Sequence, residues 1–285
     1  MRKGVFLLMA GEFCFASATV FAKLITKSSE IPAIEITFFR FLIGIFLAWG
    51  MLRRTGASFV PVRKKFVIWR GILNTIAVLL FFTSVKYTTI TNSNMLNMTY
   101  PIFIYLFIPL YGTEKIRPIL LFYLLVSIVG IYMIIQPNFN HLLYGDLIGL
   151  LSGIVGGASV LALRRARETD STPLILFYLF CMGTVINGVL LIPSFVKPST
   201  INWIYILISA IIGVLGQIFM TSGYKYIEAA KGSLVSSSRI LFALLLGVTF
   251  FSERLNTELI IGAALIIYSI ISLQLPRKVL QVRRK

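Results

Sequence analysis

The sequence predicts an all-α integral membrane protein: ten transmembrane helices arranged as two inverted five-helix repeats around a central cavity. Three observations carry that prediction. Of 285 residues, 58% are hydrophobic and 13% charged, with mean hydropathy +0.90, whereas a soluble domain carries about 25% charged residues. Cutting the chain at charged and Gly/Pro/Asn loops leaves ten continuous apolar runs, each near the roughly 20 residues that cross a bilayer as helix. A β-barrel would show short alternating strands instead. The third observation is a repeat. Lys86, Tyr87, Phe103, Leu106 and Glu114 recur as Lys225, Tyr226, Phe242, Leu245 and Glu253, all at an offset of 139, and Gly44 recurs as Gly183. A repeat of this kind decides how every later segment is read.

The spans follow in order: 4–26, 33–52, 66–86, 90–111 and 117–135 in the first half, then 146–164, 173–193, 202–224, 231–251 and 257–275 in the second. Residues 1–139 form the first repeat, and 140–285 the second with its basic tail. The first span has no small-residue cleavage pattern after it and reads as an uncleaved helix. With the N-terminus inside, nineteen loop Lys and Arg residues face the cytoplasm and four face out: Lys27, Lys86, Lys197 and Arg254. That bias places both termini in the cytoplasm of an inner-membrane protein. Five is odd, so the second repeat enters the membrane upside down relative to the first. Inverted repeats of this kind build alternating access to a site at the midplane.

The net charge of +17 is therefore read as loop charge that orients the chain, with the lipid bilayer as its partner and no nucleic acid. Cys14 and Cys181 both lie inside apolar spans, which excludes a disulfide framework or thiolate metal site. The only histidine, His141, lies in an outer loop without Cys, Asp or Glu at ligand spacing, and no Gly-rich phosphate loop is present. Neither an enzyme nor a cofactor is expected.

Ionisable groups at membrane depth point to function, since each costs about 2.5–3.5 kcal/mol to insert. Three qualify: Glu12, Arg40 and Arg239. Glu12 lies about 12 Å into its helix at 1.5 Å per residue. It reads as a proton site or the contact for a substrate amine, or else as the ion-pair partner of Arg40 or Arg239. Arg40 reads as a charge partner or a fixed contact between helices. Arg239 follows Ser236, Ser237 and Ser238 and is the candidate anchor for a carboxylate or phosphate, which a guanidinium holds with two parallel hydrogen bonds. Asn94, Asn97 and Pro101 share one helix face beside Tyr100. These amides either bond between helices or line a wet cavity. The candidate substrate contacts are thus Arg239, Asn94, Asn97, Tyr100, Ser233, Ser237 and Glu12. Phe15 and Tyr100 are candidates for stacking. Pro101 frees a backbone carbonyl and bends its helix. Gly145, Gly149, Gly153 and Gly157 form a small-residue stripe that lets a neighbouring backbone approach. Lys23, Glu35, Arg70, Lys86, Lys225, Glu228 and Lys231 lie near helix ends and are expected to snorkel to the headgroups. Glu114 and Glu253 are expected to share a structural role.

With its Phe38-Phe39-Arg40-Phe41 run, its Pro101 to Glu114 stretch and the matching Ser238 to Glu253 stretch, the chain resembles the drug/metabolite transporter superfamily and, within it, the EamA-type permeases. The resemblance implies a basket in which spans 1–4 and 6–9 surround the cavity and spans 5 and 10 are peripheral. It also implies carriage of small metabolites by alternating access without ATP. One departure stands out: Ile240 occupies the place where many relatives have a proline matching Pro101, and Arg239 precedes it. In relatives carrying phosphorylated or nucleotide-linked substrates, basic groups on this helix hold the anion. The expected function is secondary active or exchange transport of a small polar metabolite, amino-acid-like or nucleotide- or S-adenosylmethionine-like, by a monomer or weak homodimer. A channel, an exporter of drug-like cations and a non-transporting scaffold or sensor are the other readings.

Overall fold

A computed structural model describes residues 2–88, 90–111, 117–137, 144–251 and 256–274. Glu114, Lys115, His141, Glu253, Arg254 and the basic tail lie outside the described residues, as do the side chains of Lys23, Lys27 and Lys86. Among the described residues the regular structure is helical throughout. The first half contains α1 (Arg2–Ser28), α2 (Ala33–Thr55), α3 (Lys64–Tyr87), α4 (Ile90–Asn97), α5 (Tyr100–Tyr111) and α6 (Pro118–Ile135). The second contains α7 (Tyr144–Ala166), α8 (Thr172–Leu191), α9 (Thr200–Gly223), α10 (Ala229–Ser236), α11 (Ser238–Phe251) and α12 (Thr257–Gln274). Eight helical stretches, Ala229–Phe250 taken as one, are long and apolar enough to cross a membrane, and Thr257–Leu273 is a shorter apolar helix. This is a multi-pass membrane protein.

The predicted spans over 90–111 and 231–251 differ from expectation in the same way: each is broken near its middle. The first break falls at Met98 and Thr99. Pro101 has no N–H to return to the Asn97 carbonyl, so the ladder lapses there. Thr99 N donates instead to Leu96 O at 3.2 Å, and Ile102 N to Thr99 O at 2.9 Å. The second break, at Ser237, has no proline. It falls within three consecutive serines, Ser236 to Ser238, a residue type with weak preference for a helix interior. Ser237 N donates to Leu234 O at 3.2 Å and Ile240 N to Ser237 O at 3.1 Å, both tight i to i+3 bonds. Helix boundaries in the second half repeat those of the first at the sequence offset of 139: Ala33 becomes Thr172, Ile90 becomes Ala229, Asn97 becomes Ser236, Pro118 becomes Thr257 and Ile135 becomes Gln274.

The packing has the same exchange symmetry. α1 packs on α9 as α7 packs on α3, α1 on α11 as α7 on α5, while α2–α8 and α6–α12 pair across the halves. The α2–α8 contact is reciprocal. A Cβ on Gly44 would meet the Phe180 ring at 2.7 Å, and one on Gly183 the Phe41 ring at 2.1 Å. Both glycines therefore receive a phenylalanine from the opposite half, and both pairs keep the offset. The stripe on α7 serves close approach. A Cβ on Gly153 would lie 2.8 Å from Leu96 O and 3.2 Å from Asn97 O, so the glycine admits the carbonyls exposed at the first break. In lipid, irregular backbone is tolerated only where protein covers it.

Three side-chain ties fasten α3 and α4 to α7. Ser84 Oγ donates to Gly145 O at 2.8 Å. Thr88 Oγ1 and Asn92 Nδ2 donate to Asp146 Oδ1 at 2.7 and 3.2 Å. Asn97 Nδ2 donates to Ser152 Oγ at 2.9 Å. The α7–α8 turn fastens the basic end of the bundle. Buried Asp170 accepts from Val62 N at 2.7 Å and Arg63 N at 3.0 Å. Glu168 pairs with Arg63 at 2.5 Å and Arg165 at 3.3 Å, and Arg165 Nε donates to Tyr111 O at 2.9 Å. Arg167 donates to Thr221 O and Asp170 O. Burial lowers its guanidinium from the ordinary range, against the pull of nearby Tyr226 and Asp170. Beneath this turn lies the largest apolar cluster, including Leu8, Ile104, Leu161, Leu163 and Leu234.

Two groups expected to snorkel are buried instead. Glu35 has no exposed surface and accepts from Val196 N at 3.1 Å. Arg70 is 2% exposed and donates to Ser159 Oγ at 2.8 Å. Lys64 and Lys65 already supply charge at that helix end, which leaves Arg70 free to point inward. Asp170 and Glu168 make a paired stability test. Asp170→Ala strands two backbone donors, and an unmet buried donor costs about 1–3 kcal/mol. Glu168→Ala removes half-exposed pairs worth about 0–1 kcal/mol. Thermal unfolding in detergent is expected to show the larger drop for Asp170→Ala.

Candidate functional site

The charges singled out in the sequence meet where α1 crosses the second broken helix. Glu12 sits ten residues into α1 and has no exposed surface. Arg239 opens α11 directly after the break at Ser237. Arg239 Nε donates to Glu12 Oε2 at 2.6 Å. The Arg239 guanidinium also lies over the Phe15 ring, 4.7 Å from its centre, so Phe15 stacks on the cation, one turn along α1 from Glu12. Arg239 keeps 31% of its side chain exposed while Glu12 keeps none. The arginine therefore has one edge on the carboxylate and another toward solvent-accessible space. Glu12 Oε1 has no hydrogen-bond partner.

Tyr100 and Tyr224 complete the setting. Tyr100 opens α5 directly after the first break and is the residue 139 positions before Arg239, so the repeat brings equivalent positions to one place. Tyr100 interacts electrostatically with both Glu12 and Arg239. Tyr224, wholly buried at the end of α9, interacts with Tyr100, Glu12, Ser236 and Arg70. Its ring abuts α10, where a Cβ on Gly232 would meet it at 2.5 Å. Arg40 is half-buried on α2 and makes no ion pair among the described residues. Its stem lies against α9, 2.6 Å from the Cβ position of Gly213, and its charge is felt at Arg239.

The other candidates are placed differently. Asn97 is committed to Ser152 on α7, and Asn94 also has its own partner. Ser233 is wholly buried and its hydroxyl bonds back to Ala230 O at 2.9 Å. Ser237 is buried in the break itself, while the neighbouring Ser236 and Ser238 hydroxyls have no partner. The site thus gathers Glu12, Arg239, Tyr100 and Arg40, adds Phe15, Tyr224 and Ser236, and leaves Asn97 and Ser233 in helix packing. A cavity of about 320 Å³ lies elsewhere, among Arg167 to Pro173 and Lys225 at the α7–α8 turn. Among the described residues no three His, Cys, Asp or Glu side chains are grouped to hold a metal.

Tyr224 was silent in the sequence because it closes a span next to Lys225 and reads as an interfacial residue. Its signal was indirect: a tyrosine at a helix end with a glycine, Gly232, eight residues on.

A bundle of apolar helices with a guanidinium held at a helix break suits solute carriage, and comparison with known proteins decides the family. The profile of the EamA-like transporter family matches residues 2–136 and 143–274. The chain belongs to the EamA-like transporter family. Among its relatives, the pseudopaline exporter CntI of Pseudomonas aeruginosa is 27% identical over 98% of both chains. The solute carrier family 35 member G1 of Homo sapiens is 22% identical over 92% of this chain and 76% of that protein. A riboflavin transporter of Rhizobium johnstonii is 24% identical over 92% of this chain and 87% of its own. A solved crystal structure superposes with a TM-score of 0.80 at 16% identity, covering 95% of this chain and 96% of that one, which shows the shared fold. The chain is a membrane transporter of the drug/metabolite superfamily for a small molecule, and not an enzyme.

Removing one partner of the pair isolates the other. Arg239→Leu leaves a buried carboxylate without a cation and is expected to lower stability by about 3 kcal/mol, the low end for breaking a buried pair because Arg239 is partly exposed. The double change Glu12→Leu with Arg239→Leu is expected to recover most of that loss, since apolar replacement of a buried pair is often neutral. Thermal unfolding of the wild type, Arg239→Leu and the double variant in one detergent checks both.

Proposed function

We propose that the protein is a secondary carrier that moves a small polar metabolite bearing an acid group across the inner membrane, with a proton, by alternating access. The observation that carries this reading is the Glu12–Arg239 pair, whose acid is sealed and whose cation is partly exposed. In the empty carrier Glu12 occupies Arg239. An incoming carboxylate or phosphate takes over the guanidinium through its exposed edge. Glu12 is then a wholly buried side chain beside Tyr100 and Tyr224, and this reading assigns it the coupled proton. Anion and proton thereby bind together and travel together. Their direction is set by their gradients, and the name of the 27% identical relative favours export.

The two halves, 1–139 and 140–285, act as inverted five-helix repeats. The α4–α5 and α10–α11 pairs each count as one broken span, which gives ten crossings and puts both chain ends in the cytoplasm, as the loop charges favour. The reciprocal Gly44–Phe180 and Gly183–Phe41 contacts support this. α2 and α8 approach with 44 beside 180 and 41 beside 183, which is an antiparallel crossing and the one a two-fold relation between inverted halves requires. The α1–α9 contact, with Gly4 beside Gly223 and Gly11 beside Gly216, has the same sense. The apolar cluster under the α7–α8 turn closes the basic end, so the conformation described is the one sealed toward the cytoplasm. Opening it breaks the Asp170 and Glu168 ties, while α2 and α8 pivot on their glycines.

Proteoliposomes loaded with a cell metabolite extract test the reading. Wild-type protein is expected to release acidic solutes, faster when the lumen is more acidic than the medium. Glu12→Gln is expected to release them at a rate independent of the pH gradient, and Arg239→Ala to release none. A Glu12→Gln protein that still responds to the gradient removes the proton role. Absence of any protein-dependent release removes the transport reading.

A further inference from the structure

The interior carries more positive charge than the Glu12–Arg239 pair accounts for. Arg40 and Arg70 have no carboxylate partner among the described residues, whereas Glu12 is already matched. The other buried acids on the spans, Glu35 and Asp146, sit in the first turns of α2 and α7, at the end of the bundle away from Arg70. Two positive charges in the midst of the bundle thus lack a counter-charge. An uncompensated charge in a dry interior is strongly disfavoured, so its retention points to a ligand that supplies the opposite sign.

Arg70 is the more informative of the two. It lies six residues into α3 from the basic end, about 9 Å along the helix. Its guanidinium makes one side-chain bond, to Ser159 Oγ at 2.8 Å, and Nε has no partner. Around it are other buried polar atoms in the same condition: Tyr224 OH, Ser236 Oγ and Glu12 Oε1. Tyr224 interacts with Arg70 on one side and with Glu12, Tyr100 and Ser236 on the other. Gly232, which abuts the Tyr224 ring, and Ser236 lie one turn apart on the same face of α10. Buried polar groups are ordinarily satisfied. Leaving aside Glu12 Oε1, which is itself an acceptor, the Arg70 Nε–H and the hydroxyls of Tyr224 and its neighbour Ser236 meet around one ring and describe a seat for acceptor oxygens.

We propose that Arg70, with the Tyr224 hydroxyl and Ser236, forms a second anion subsite on the cytoplasmic side of Glu12–Arg239, and that the carried solute has at least two acid groups. This rests on the transport reading above and names its substrate class. One acid group binds Arg239 beside Arg40. The second binds Arg70, and the two together balance the excess charge. A solute with one acid group satisfies Arg239 alone.

Thermal shift of the purified carrier in detergent, at matched ionic strength, tests this with acetate, glutamate, succinate, citrate and uridine monophosphate as probes. At least one of the three probes with two or more acid groups, glutamate, succinate or citrate, is expected to raise the melting temperature well beyond acetate and uridine monophosphate, which have one. In Arg70→Gln that excess is expected to vanish and leave the acetate-like shift. Arg70→Lys is expected to retain a clear part of it. Tyr224→Phe keeps the ring against Gly232 and loses the hydroxyl, so it is expected to reduce the excess even if Arg70→Gln does not fold. Ser159→Ala leaves the Arg70 charge and is expected to keep the excess, which a role confined to helix packing would not predict. Equal shifts for all probes, or an excess that survives both Arg70→Gln and Tyr224→Phe, overturns the subsite. Arg239→Gln separates the two claims: if it leaves every shift intact, the reading of Arg239 as the primary anchor fails instead.

Discussion

A carboxylate with no exposure to water must be held by a cation or give up its charge. Glu12 is such a carboxylate, and Arg239 is the cation. Much of the organisation around them follows from making this pair possible at membrane depth. Glu12 is delivered by an unbroken α1. Arg239 is delivered by a helix that restarts at the place where three serines interrupt the ladder. The break exposes backbone that lipid cannot tolerate, and α1 and α5 pack over it. The pair is also asymmetric, because Glu12 is sealed and Arg239 is not.

The same logic explains the glycines. Two interrupted helices at matched positions need neighbours that come unusually close, and that closeness comes from residues without a side chain. Gly153 receives the carbonyls of the first break, while Gly44 and Gly183 each accept a ring from the facing half. Lipid provides no hydrophobic drive between helices, so such contacts hold through packing and polar ties. The ties are unevenly distributed. Asn97, Asp146 and Ser84 bind the first turns of α7 to the first half, and the Asp170 turn gathers the basic end. The α2–α8 crossing is packed by apolar side chains, with Phe41 and Phe180 seated on the facing glycines.

Charge at depth was the most legible signal. Glu12 and Arg239 lie 227 residues apart in sequence, yet membrane depth alone marked both, and the structure joins them at 2.6 Å. Arg40 was also marked, though it approaches α9 and not Glu12. The break at Pro101 was legible because proline removes a donor. The break at Ser237 was not, because serine weakens a helix only where the surroundings reward the alternative bonds. Polarity by itself left two readings open. The sequence allowed Asn97 to bond between helices or to line a cavity, and it bonds to Ser152 on α7, while Ser233 bonds to its own backbone. Arg70 misled. Position near a helix end suggests snorkelling, and only the presence of Lys64 and Lys65 outside it reveals that Arg70 is not needed at the interface.

The proposed reading makes Glu12 a placeholder that an acid group displaces from Arg239. Binding of an acidic solute to purified Glu12→Gln, compared with wild type at neutral pH, tests this most directly. A placeholder competes, so removing its charge must free the guanidinium and tighten binding severalfold. Binding that is unchanged or weaker in Glu12→Gln would contradict the account, because it would make Glu12 a fixed structural partner and not a stand-in for the substrate.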